Sequence, residues 1–93
     1  MEIVDYEPHH LDAVVALCRA EGWITFAGNR ERAGRAMTGP GVTALVAVDG
    51  ERVLGFAQAV GDGCFGGYLC MLLVDEEARG RGVGKALVER TLR

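Results

Sequence analysis

The sequence predicts an α+β fold of α/β type, with elements in the order β-α-α-β-β-β-α. Three observations predict it. Apolar residues recur at helical spacing between residues 10 and 21. Residues 42–74 are rich in apolar and β-branched side chains, and turn signals at Asp49-Gly50 and Gly61-Asp62-Gly63 divide them into three strands. Finally, the run Leu69-Cys70-Met71-Leu72-Leu73-Val74 leads into a glycine-rich loop and then a helix start.

Residues 2–6 form a short strand that ends near Pro8. In the helix at 10–21, Leu11, Val14, Val15 and Cys18 fall at i, i+3, i+4 and i+7, and Gly22 stops it. A second helix runs from Asn29, a good N-cap, to Met37, and buries Ala33, Ala36 and Met37. Gly39-Pro40-Gly41 ends it. Strand 42–48 is apolar or β-branched almost throughout, which predicts cover on both faces. Asp49-Gly50 is a hairpin signal, and Gly55 inside the returning strand 53–60 signals a bulge or a close backbone approach. The third strand of this meander is 64–74, and a helix follows the loop from about residue 87.

Ninety-three residues, 49% hydrophobic and 25% charged, fit one globular domain spanning 1–93. A chain of this length buries only about 60–65% of its unfolded surface, so its core is marginal without a partner. No apolar run approaches a membrane span and the N-terminus has no signal-peptide layout, which predicts no membrane partner. A pI of 5.3 and scattered aromatics predict no nucleic-acid partner. Cys18, Cys64 and Cys70 cannot all pair within one chain and show no C-x-x-C spacing. They are expected as buried thiols of a cytoplasmic protein, with no metal.

The loop Arg79-Gly80-Arg81-Gly82-Val83-Gly84-Lys85-Ala86 suits a phosphate, since glycine lets backbone approach a ligand and a helix N-terminus offers unpaired N–H groups. Spacing separates the candidate motifs. The nucleoside-triphosphate pattern G-x-x-x-x-G-K-[ST] needs Gly at Arg79 and a hydroxyl at Ala86, and fails at both. The dinucleotide pattern G-x-G-x-x-G fails at Lys85 in one frame and at Leu87 in the other. Residues 79–93 carry five cations against Glu89, a local balance of +4 that leaves −7 on the rest of a chain of net charge −3. Positive charge gathered on one loop and helix of an acidic chain focuses an anion there.

The pattern that fits is R-x-x-G-x-G at Arg79, Gly82 and Gly84, after the L-x-V strand end of Leu72 and Val74. It resembles motif A of the GNAT superfamily of acyl-CoA N-acyltransferases, and the element order resembles the first part of that fold. Glu76 departs from the pattern where many members carry Pro. The resemblance implies a mixed, mostly antiparallel sheet with helices on its faces, truncated after motif A. It implies an N-acetyltransferase that takes acetyl-CoA as cosubstrate and a primary amine of a small molecule or protein as acceptor. The amine attacks the thioester directly, with backbone donors on the developing oxyanion. Leu72, Leu73 and Val74 are expected on the pantetheine arm. Arg79, Gly80, Arg81, Gly82, Val83, Gly84 and Lys85 are expected around the pyrophosphate.

Members of this family often draw a base from a carboxylate on or near the motif's strand, and an acid from a Tyr on a later helix. Strand 64–74 has no carboxylate, and that Tyr position falls past residue 93. Tyr68 is the remaining catalytic candidate, as a polar group facing the acceptor or else as a core Tyr. Asp75, Glu76 and Glu77 are expected as solvated or N-cap groups. His9 and His10, at a helix start, are expected on the surface. Cys64 and Cys70 lack a neighbouring base for an acyl-carrying role. Trp23 and Phe26, in the connection between the first two helices, either line the acceptor pocket or plug the core. The rival reading is a truncated, non-catalytic CoA-binding or dimerisation module.

Assembly follows from the same strand. Phe65, Leu69, Met71 and Leu73 fall on one face and Cys64, Cys70, Leu72 and Val74 on the other, so both faces are expected to be buried. One edge would lack the neighbour that the family supplies, which predicts a homodimer or larger homo-oligomer joined there or through the terminal helix.

Overall fold

Strand β1 (Glu2–Asp5) lies antiparallel to β2 (Val42–Asp49), with Ile3 opposite Ala47 and Val4 opposite Val46. The computed structural model describes residues 1–23, 27–61 and 67–91. Strands β3 (Arg52–Gly61) and β4 (Gly67–Val74) complete an antiparallel sheet of order β1-β2-β3-β4. Helices α1 (Leu11–Ala20) and α2 (Arg30–Thr38) cover one face, and α3 (Val83–Thr91) covers the other. The predicted element order is the observed one.

The periodic stripe of α1 does what its spacing implies, burying Leu11, Val14, Val15 and Cys18 together with Leu17. They meet Met37 of α2 and Val46, Phe56 and Leu73 of the sheet. The second core holds Leu45, Ala47, Leu54 and Ala57 under Val83 and Leu87 of α3. Phe56 and Leu87 are fully buried, one in each core, and burial of each contributes about 1.5–3 kcal/mol. Asn29 caps α2, its side-chain oxygen accepting the Arg32 N–H at 3.0 Å. The Gln58 side chain donates to the Ala36 carbonyl at 2.6 Å and ties α2 to β3.

Asp49 pairs with Arg52 across a two-residue Gly50-Glu51 turn, as the hairpin signal predicts. Gly55 proves to be both of the things expected of it. Ala47 pairs with Gly55 and Val48 with Val53, which leaves Leu54 as the extra residue of a bulge. A Cβ at Gly55 would sit 2.6 Å from the Leu73 carbonyl oxygen and 3.2 Å from the Val74 Cα.

A second bulge corrects the expected faces of β4. Gln58 pairs with Met71 and Ala59 with Leu69, so Cys70 is left over and the alternation inverts there. Leu69 therefore shares a face with Leu72 rather than with Met71 and Leu73. The expected burial of both faces does not hold: Leu73 alone of the described strand is buried, Met71, Leu72 and Val74 are half-buried, and Tyr68 is 78% and Leu69 37% exposed. Phe65 and Cys64 lie outside the described residues.

Three further expectations change. Cys18 is buried, and burial pushes its thiol up to about 11, but Cys70 is exposed. His10 is buried at 7% exposure rather than on the surface, because its Nδ1 accepts the Glu7 N–H at 2.9 Å and its ring meets His9 and Tyr6. The final helix begins at Val83, four residues earlier than the sequence suggests, so Gly84 and Lys85 belong to its first turn. Among the described residues no helix is long and apolar enough to cross a membrane.

Candidate functional site

The loop after β4 is anchored at each step. The Asp75 N–H donates to the Leu54 carbonyl at 2.7 Å, extending the sheet contact past Val74. The Asp75 carboxylate then accepts the Glu77 N–H at 2.9 Å and caps a 3-10 turn at Glu76–Ala78, whose Ala78 is buried in the second core. Arg52 holds this turn from outside, 2.9 Å from Glu77 and 3.6 Å from Asp75. A capped turn thus forms with Glu76 at the position where many members of the family carry Pro, and the expected N-cap role of Asp75 is observed.

Gly80 and Gly82 have φ of +85° and +79°, a region costly to residues with a Cβ, and they turn the chain into α3. The Ala86 N–H donates to the Gly82 carbonyl at 3.0 Å. The N–H groups of Val83, Gly84 and Lys85 precede that first helical bond and have no intrahelical acceptor. A Cβ at Gly84 would meet only Val74 Cγ2 at 3.6 Å, an ordinary contact. Internal packing does not require glycine at 84, whereas a ligand brought against the backbone there would. The cradle fits a phosphate: orphan N–H donors, a helix N-terminus, and room where a side chain would stand.

The cations of the loop differ in how they are held. Arg81 is exposed and makes no ion pair among the described residues. Lys85 is exposed, 4.0 Å from Glu89 one turn on. Arg79 is engaged: its guanidinium is in direct contact with the Glu21 carboxylate at the end of α1, and its Nε–H donates to the Val74 carbonyl at 3.2 Å. Beside this contact lies a cavity of about 290 Å³, lined by Leu17, Ala20 and Glu21 on one side and by Leu73, Val74 and residues 75–77 on the other. Sequence reading missed Glu21. Its one local signal is a carboxylate at a helix C-terminus, where the macrodipole disfavours negative charge.

The structure brings Leu72, Leu73 and Val74 together with residues 79–85, but not Trp23 or Tyr68. Trp23 follows α1, its N–H bonded to the Cys18 carbonyl at 2.9 Å, and it is absent from the cavity lining. Phe26 lies outside the described residues. Tyr68 stands at the other end of β4, opposite Val60, which excludes the core role. Among the described residues no group of three or more His, Cys, Asp or Glu side chains could hold a metal ion.

Residues 9–93 match the acetyltransferase (GNAT) family. No curated protein matches the chain. Among solved structures, an aminoglycoside 6'-N-acetyltransferase complexed with coenzyme A is 28% identical with a TM-score of 0.82, over 97% of this chain and 52% of that one. The aminoglycoside 6'-N-acetyltransferase from Enterococcus faecium is also 28% identical, with a TM-score of 0.78 over 97% and 52%. A GNAT-family acetyltransferase from Staphylococcus aureus Mu50, 14% identical with a TM-score of 0.77 over 97% and 63%, shares the fold. The chain spans about half the length of the two aminoglycoside enzymes. With 85 of its 93 residues inside the family match and motif A on the strand, turn and helix that the pattern requires, the chain belongs to the GNAT family of acetyltransferases.

Proposed function

We propose that residues 1–93 form a single partial domain of an N-acetyltransferase that moves the acetyl group of acetyl-CoA to a primary amine of a small molecule or protein. The observation that carries this reading is the loop between β4 and α3, where two left-handed glycines, exposed Arg81 and Lys85, and three orphan N–H groups fall within six consecutive residues. Arg79, Gly80, Arg81, Gly82, Val83, Gly84 and Lys85 hold the pyrophosphate in this reading, and the backbone of Leu72, Leu73 and Val74 lies along the pantetheine. The CoA complex of a 28%-identical neighbour supports that ligand, and its aminoglycoside acceptor makes polyamine sugars the first acceptors to assay.

Acetyl-CoA supplies the activated acyl group. The bulge leaves Cys70 out of the β3–β4 register. In this reading its backbone N–H donates to the oxygen that gains charge as a neutral amine attacks. The C–S bond then breaks, so that CoA leaves as a thiolate and takes up the proton the amine loses. We assign Tyr68 to the acceptor side as the polar candidate, with Trp23 as the apolar one. The exposed residues Tyr68 and Leu69 at the edge of β4 support self-association, and the free thiols of Cys18 and Cys70 support a cytoplasmic location.

Isothermal titration with CoA and with ATP tests the donor reading: CoA binds more tightly, and preference for ATP or no CoA binding refutes it. CoA release across a panel of amines then separates an enzyme from a module that only binds CoA. Light scattering at micromolar concentration tests association, and a monomer whose unfolding is independent of concentration refutes it.

A further inference from the structure

We infer that Glu21 is a positioning residue for the donor loop: its carboxylate occupies, on Arg79, the place of a phosphate, and gives Arg79 up when a phosphate binds. The inference rests on the donor reading above. Glu21 is the C-cap of α1, where the helix carbonyls present negative charge, so a carboxylate there is unfavourable without a nearby cation. The cation it finds comes from 58 residues along the chain, at the first position of the phosphate loop. Carboxylate and phosphate oxygens suit the same guanidinium fork, so Glu21 and a phosphate compete for one group. Arg79 is half exposed and the Glu21 side chain about a third exposed, so exchange requires no unfolding. The other hold on Arg79 is the Val74 carbonyl, on the strand end assigned to the pantetheine. A phosphate that draws Arg79 toward the cradle therefore releases two groups together, the Glu21 carboxylate and the Val74 carbonyl.

The sign of one measurement decides it. Titration of CoA, with inorganic pyrophosphate as a second probe, into the full chain and its Glu21→Gln variant is expected to show binding about two- to fivefold tighter in the variant, the range for removing a competing exposed ion pair. In an Arg79→Gln background the same substitution changes nothing, and Glu77→Gln, whose partner is Arg52, gives no tightening. Equal or weaker binding by Glu21→Gln overturns the inference, because a merely structural role predicts that result. Pyrophosphate binding without CoA binding refutes the donor reading while the exchange is still measured. If neither probe binds, both fall. Urea unfolding of the four Glu21 and Arg79 combinations reads the contact without ligand, and zero coupling overturns it even if a variant folds poorly.

Discussion

Gly55→Ala is the sharpest single test of how the sheet is built around the candidate site. The added methyl would lie 2.6 Å from the Leu73 carbonyl oxygen, whereas real Cβ contacts rarely fall below 3.4 Å, so about 0.8 Å must be found. The obstacle is backbone on a paired strand, with the Val74 Cα at 3.2 Å and Leu87 Cδ1 at 3.4 Å on the remaining sides. The two nearest obstacles are backbone and cannot swing away, so β3 and β4 must separate at the strand end. Overpacking of this kind costs about 1–3 kcal/mol. At about 4–8 °C per kcal/mol for a domain of this size, Tm should fall by roughly 8–16 °C for a cost near 2 kcal/mol. Calorimetry or circular dichroism melts give the value, with Gly84→Ala as the control. That methyl meets nothing closer than 3.6 Å and replaces a helical glycine, so it should be neutral or stabilising by up to about 1 kcal/mol. A Gly55→Ala protein melting within 2 °C or so of the parent would refute the close approach.

Other outcomes are expected of the same structure. Gly82→Asp should abolish CoA binding by titration, since it sets a side chain at φ +79° and a negative charge against the phosphates; unchanged affinity would remove the loop from the site. Burial, with the charge of His9, lowers the pKa of His10 below the ordinary 6.5. The fold prefers the neutral ring, so its contribution is complete above that pH and lost as pH falls through the lowered value. Urea midpoints at pH 7.5 and 5.5 should fall further for the parent than for His10→Asn, which keeps an acceptor for the Glu7 N–H but does not titrate; equal slopes would refute this role. Iodoacetamide labelling mapped by mass should modify Cys70 in the native protein and Cys18 only on unfolding, since Cys18 is fully buried with its thiol raised to about 11. Early modification of Cys18 would show that the first core opens.

Much of the fold was legible because its signals are local. The α1 stripe, the Asn29 cap and the Asp49-Gly50 turn each act through neighbours a few residues away, and each forms where the residues imply. Motif A was legible for the same reason. The faces of β4 were not: Leu69-Cys70-Met71-Leu72-Leu73-Val74 is apolar throughout, so nothing in it marks where one residue drops out of register. Only pairing with β3 reveals the bulge. His10 escaped for a similar reason, since its burial depends on an acceptor role toward the backbone of Glu7 that hydrophobicity does not report. The contact between Arg79 and Glu21 spans 58 residues and two elements, beyond any reading by periodicity or motif.

Helix α3 has a consequence for the order in which the molecule matures. Each strand of the sheet pairs with the strand next to it in sequence, so β1 apart, pairing can proceed in the order of synthesis once the two intervening helices are made. Leu45, Ala47, Leu54 and Ala57 remain uncovered until Val83 and Leu87, which follow all four strands in the chain, arrive. The turn that carries Val83 also presents the orphan amides. Closing the second core and creating the anion cradle are therefore one event, and a nascent chain offers no half-built cradle to the cell's pool of phosphorylated metabolites. Any ligand of those amides would select the completed fold, so binding and final collapse should report on each other during refolding.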